Sequence, residues 1–99
     1  MAVFSVQTNV LRDKAKALNQ HAQDFDSITS KLKTAATTMG TAYESDDNRK
    51  FVSRVEAMCV DLKNLADRLR NASQIITQQA GEYDKREAEN TSRANRLPG

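Results

Sequence analysis

Apolar or small side chains recur along this sequence at alternating steps of four and three residues, in two long runs separated by one polar cluster. The mean step of about 3.5 residues is the period of α-helices that pack side by side at a shallow angle. The only proline is Pro98 and glycine occurs three times, so the composition also favours long helices. The repeat therefore predicts an all-α protein built from two amphipathic helices.

The first run predicts a helix from about residue 9 to about residue 42, with Thr8 or Asn9 as its N-cap. Only Thr29 departs from the apolar or small pattern. The members of the run are Leu11, Ala15, Leu18, Ala22, Phe25, Thr29, Leu32, Ala36, Met39 and Tyr43.

The second run predicts a helix from about residue 48 to about residue 88. Its members are Phe51, Val55, Met58, Leu62, Leu65, Leu69, Ala72, Ile76, Gln79 and Tyr83. Between the runs, the polar cluster 44–48 offers Ser, Asp and Asn side chains that cap helices, so we predict a turn at about 43–47. A connection this short makes the helices antiparallel neighbours in a hairpin.

The large residues of both runs form the predicted seam of the hairpin or of a dimer. They are Leu11, Leu18, Phe25, Leu32, Met39, Val55, Met58, Leu62, Leu65, Leu69 and Ile76. Weaker apolar rows accompany them, made of Ile28, Ala35 and Ala42 and of Val52, Cys59, Ala66 and Ile75. One hairpin buries only one side of each helix, so this excess predicts dimerisation into a four-helix bundle. We predict a hairpin domain over 1–89 and a flexible tail over 90–99.

Charge and motif content argue against several functions. The 15 basic and 13 acidic residues are mixed along the chain, without the basic stripe of a nucleic-acid binder. Cys59 and His21 are single, and no nucleophile, metal or phosphate motif is present, so we expect no catalytic residue, no cofactor and no metal. We also expect no conventional signal peptide, and no apolar run is long enough to span a bilayer.

Two short stretches resemble a known family. Tyr43 and Ser45 occupy the turn, Phe51 follows six residues after Ser45, and Tyr83 precedes Glu87 by four residues near the end of the second helix. With the length and the two runs, this pattern is similar to the WXG-type, early-secreted-antigen-like proteins of type VII secretion systems. Tyr43 and Ser45 stand where that family has the Trp and Gly of its turn motif.

The resemblance implies a protein secreted without a cleavable signal peptide, as a folded dimer with itself or with a paralogous hairpin. It implies that Tyr83 and Glu87 form an export signal, read with the turn residue Tyr43 by an FtsK/SpoIIIE-type secretion ATPase. The resemblance implies that the protein contacts the membrane only through the secretion machinery.

Two alternatives stay open. The chain is similar to helical adaptors that bind the N-terminal domain of a larger secreted toxin, or it is a generic coiled-coil interaction protein. A membrane-perturbing role is disfavoured because the polar faces mix acids and bases.

Overall fold

The fold is a hairpin of two long helices. The computed structural model describes the backbone of residues 2–42 and 44–97, and the side chains from residue 7 onward within those ranges. Helix α1 spans Ala2–Ala42 and helix α2 spans Asp46–Arg96, and the two pack against each other. The prediction of an all-α antiparallel hairpin is confirmed.

The turn is built by side chains of the polar cluster. Ser45 adopts an extended conformation and its Oγ accepts a hydrogen bond from the backbone N–H of Asn48, which makes Ser45 the N-cap of α2. Asp46 and Asp47 place carboxylates in the positive first turn of that helix. The Asn48 side chain donates to the Met39 carbonyl at 2.9 Å, which ties the start of α2 to the end of α1.

Both helices are longer than the repeat predicts. Helix α1 begins at Ala2, not near residue 9, because Thr8 is not a cap but a buried contact with α2, 2% exposed. Helix α2 begins at Asp46 and continues to Arg96, so the prediction that it ends near residue 88 is wrong. Residues 85–89, Lys-Arg-Glu-Ala-Glu, are strong helix formers, and Arg93 and Arg96 complement the negative helix end. Leu97, which precedes a proline in the sequence, is extended.

Small residues make the contact between the helices. We call the following buried residues the small-residue seam: Thr8, Ala15, Ala22, Thr29 and Ala36 on α1, and Cys59, Ala66, Ser73 and Ala80 on α2. The Ser73 hydroxyl donates to the Ala15 carbonyl at 2.8 Å, and Cys59 Sγ lies 3.8 Å from the Thr29 carbonyl oxygen. Side-chain contacts with the opposite backbone require close helix axes, which only small residues permit.

The register of the seam is regular. Moving 14 residues along α1, from Ala15 to Thr29, moves the contact back 14 residues along α2, from Ser73 to Cys59. Members of the seam on each of these helices are seven residues apart, so each helix presents the same row throughout. The same register places Thr8 of α1 opposite Ala80 of α2.

The hairpin is elongated. It measures 83 × 14 × 13 Å and has a radius of gyration of 22.8 Å, against about 13 Å for a compact domain of this length. It exposes 7671 Å² of surface, whereas a compact protein of its mass exposes about 5,600 Å². A single hairpin therefore leaves much of its chain unburied.

Candidate functional site

Charged residues occupy one side of the seam. Arg12 follows Thr8 by four residues and Asp84 follows Ala80 by four, and their side chains form an ion pair between the helices at 2.6 Å. Arg70 and Asp26 have the same spacing from seam residues and also pair between the helices. Because the residues four after the seam meet across it, they define one side of the hairpin, which we call the charged side.

Large apolar residues occupy the opposite side. Positions three and four residues after a seam residue flank it in opposite directions around a helix. In an antiparallel pair, the three-after positions of both helices therefore share one side of the hairpin, which we call the apolar side. Its residues are Leu11, Leu18, Phe25, Leu32 and Met39 on α1, and Val55, Leu62, Leu69, Ile76 and Tyr83 on α2.

Most of the apolar side is only partly buried. Val55 is buried in a small cluster with Ala36 and Cys59, against which Leu32 and Val52 pack. An outer row on α2 continues the same side, and its residues Phe51, Met58 and Leu65 are 49%, 53% and 41% exposed. The hairpin thus presents a continuous apolar surface on one side.

The predicted seam therefore differs from the contact that the helices make. Val55 is buried in the contact with Ala36 and Cys59. The other large residues predicted for a hairpin or dimer seam lie beside the contact, and on α2 the contact uses Cys59 and Ala66 from the row that the sequence indicated as weaker. Close packing selects the smaller side chains for the centre and displaces the larger ones to a flank. The role of these large residues in a dimer stays a prediction.

The residues of the turn motif are only partly described. Tyr43 lies outside the described residues. Ser45 has a clear structural role as the helix cap, and Phe51 points away from the hairpin contact with half of its surface exposed. The structure does not bring Phe51 into the buried core of the hairpin.

The two residues of the tail motif are helical and share one region. Tyr83 is 39% exposed at the end of the apolar side, and Glu87 is partly buried one turn further along α2. The Arg86 guanidinium lies 5.9 Å from the centre of the Tyr83 ring, within cation–π range. Tyr83, Arg86, Glu87 and Asn90 line a hollow of about 290 Å³. An aromatic ring, a cation and a carboxylate therefore lie together on this surface.

Thr8, Arg12 and Asp84 form a charged cluster next to the tail motif. Asp84 receives hydrogen bonds from Arg12 and from Thr8, and these contacts hold the pKa of its carboxyl below the ordinary value of 3.8, with Arg12 the main cause. The cluster lines a wide, open groove of about 840 Å³ between the beginning of α1 and the end of α2. Sequence reasoning missed Thr8 and Arg12, because their partner becomes identifiable only when the register of the hairpin is known.

The described residues contain no cluster of three or more His, Cys, Asp or Glu side chains that could hold a metal. Cys59 is buried. Neither helix, over its described length, is apolar enough to cross a membrane.

Comparisons with protein-family models, with curated proteins and with solved structures found no match. Three features therefore remain for a functional proposal: the open apolar side, the Tyr83 to Glu87 region and the charged cluster around Asp84.

Proposed function

We propose that this chain is a helical interaction protein exported by a type VII secretion system. In this proposal it leaves the cell folded, paired through its apolar side with a second copy or a paralogous hairpin. Tyr83 and Glu87 form the export signal that the FtsK/SpoIIIE-type secretion ATPase reads. The observation that carries the proposal is the one-sided apolar surface, which ends at Tyr83.

The surface area of the hairpin supports the proposal of a partner. The exposed surface exceeds that of a compact protein of the same mass by roughly 2,000 Å², which is of the order that a specific protein interface buries in total. Large side chains contribute about 1.5 to 3 kcal/mol each when they are fully buried. Covering the apolar side therefore offers a large gain that the seam of small residues cannot supply.

The proposed signal has the side chains that a receptor can recognise. Residues four apart on a helix lie on one face, so Tyr83 and Glu87 can be contacted together. The ring can fill an apolar pocket, and the carboxylate can pair with a cation. Neither residue belongs to the small-residue seam that holds the hairpin together, so recognition does not require the hairpin to open.

Export in the native host tests this signal. We expect Tyr83→Ala and Glu87→Ala each to abolish export while the circular dichroism spectrum of the purified protein stays helical. Glu82→Ala is the matched control for the carboxylate, since Glu82 is exposed on the same helix. Continued export of both signal variants would refute the assignment.

A second candidate function is an adaptor for a larger secreted toxin. The observation that favours it is the outer row of Phe51, Met58 and Leu65, which widens the apolar surface on α2. An adaptor would remain a monomer or aggregate alone, and would form a defined complex with the helical N-terminal domain of a toxin encoded beside it. A stable homodimer of the purified chain would count against this function.

A further inference from the structure

Gly81 introduces a weak point into α2. It lies in the helix interior between Ala80, the last seam residue on α2, and the proposed signal at Tyr83 and Glu87. A Cβ atom built on Gly81 would meet no atom within 4 Å, so packing does not require glycine there. Glycine is the poorest helix former apart from proline. Gly81 therefore has the lowest intrinsic helix propensity of the residues in α2, two residues before the signal.

A polar clamp holds the segment beyond this weak point. After Ala80, Asp84 continues the contact with α1 by pairing with Arg12 at 2.6 Å and accepting a hydrogen bond from Thr8. Thr8 is 2% exposed, so its hydroxyl is fixed inside the hairpin. The clamp thus connects the signal segment of α2 to the buried part of α1 at Thr8.

Asp84 lies between the two residues of the proposed signal, so the clamp acts on the segment that a receptor would recognise. Asp84 directly follows Tyr83 and precedes Glu87 by three residues. In a helix, fixing one residue fixes the direction of its neighbours. Tyr83 and Glu87 share a face only while the segment is helical.

We propose that Arg12 is a positioning residue for the signal, which it keeps helical and docked on α1 by clamping Asp84 across the weak point at Gly81. This inference rests on the proposed export function. The docked helix is the form that the receptor recognises, and release of Arg12 lets residues 82–96 unwind or swing about Gly81.

Hydrogen exchange of the purified full-length protein, followed by mass spectrometry, tests the clamp. In Arg12→Ala we expect exchange over residues 82–96 to become about two- to fivefold faster, the range typical of a lost exposed ion pair. In Gly81→Ala we expect it to become about fivefold slower, because alanine restores helix propensity and its Cβ has room.

Arg70→Ala is the matched control, because Arg70 makes the other ion pair between the helices, with Asp26. It should leave exchange over 82–96 unchanged. The charge swap that combines Arg12→Asp with Asp84→Arg should return exchange over 82–96 towards the wild-type rate. Equal exchange in Arg12→Ala and wild type, or an equal effect of Arg70→Ala, would overturn the clamp.

Export of the same variants separates this inference from the proposed function. We expect Arg12→Ala to be exported less than wild type, and the charge swap to restore export. Faster exchange in Arg12→Ala with undiminished export would refute the positioning role while leaving the Tyr83 signal intact. Undiminished export of both Tyr83→Ala and Glu87→Ala would instead refute the proposed signal, even if the exchange results stood.

Discussion

Asp84 joins the two helices at the open end of the hairpin. Its contacts with Arg12 and Thr8 stabilise the carboxylate, so its pKa lies below the ordinary 3.8. Both partners come from α1, while the residues that flank Asp84 on α2 include Tyr83, Lys85 and Glu87. A local polar contact thus joins the two helices beside the proposed signal.

The lowered pKa of Asp84 predicts a definite pH dependence. Because the charged form is favoured in the folded state, its stabilisation is present above pH 3.8 and is lost as the pH falls through the lower folded-state pKa. We expect an NMR titration of the Asp84 carboxyl carbon to give a midpoint below 3.8, and the Arg12→Ala variant to move that midpoint upward. A wild-type midpoint at or above 3.8 would show that the contact does not persist in solution.

At the scale of the helices, much of the fold could be predicted from the sequence. Two runs of 3.5-residue period and a polar cluster with capping residues suffice for two helices and a turn, and Ser45 is a cap of the kind expected there. The repeat locates apolar residues but does not say which of them meet. On α2 the repeat favours the larger residues for the seam, whereas the close approach of the helices buries Cys59 and Ala66.

Neither the helix ends nor the charged side could be predicted from the sequence, and the reasons differ. Helix α2 continues past Tyr83 without an apolar pattern, on helix propensity and on favourable end charges. The pairing of Arg12 with Asp84 joins residues 72 apart in the sequence. Such a pair becomes predictable only after the seam has fixed the register of the two helices.

The seam itself predicts how substitutions in α2 affect stability. Ala66 is 0% exposed, so Ala66→Leu must force the helices apart and should lower the free energy of unfolding by about 1 to 3 kcal/mol. Ala57→Leu is the matched control on the exposed face, with an expected change within about 0.5 kcal/mol. Urea denaturation at one fixed protein concentration provides both values. Equal stability of the two variants would mean that the helices do not meet through Ala66.

For the whole molecule, the two sides of the hairpin have different consequences. On the charged side, the ion pairs of Arg12 with Asp84 and of Arg70 with Asp26 join the two helices. On the apolar side of the isolated chain, the outer-row residues Met58 and Leu65 remain 53% and 41% exposed. Association through the apolar side is therefore the central expectation for this protein. In the proposed function, Tyr83 and Glu87 at the end of that side direct export.

The mass of the assembled particle, measured by native mass spectrometry on protein purified from its host, tests that expectation most directly. We expect about twice the chain mass of 11.0 kDa, from two copies or from this chain with a paralogous hairpin. Leu65→Asp should reduce the particle to a single chain, whereas Asn64→Asp, which adds the same carboxylate at an exposed residue of α2, should leave it paired. A wild-type particle of 11.0 kDa would contradict association through the apolar side.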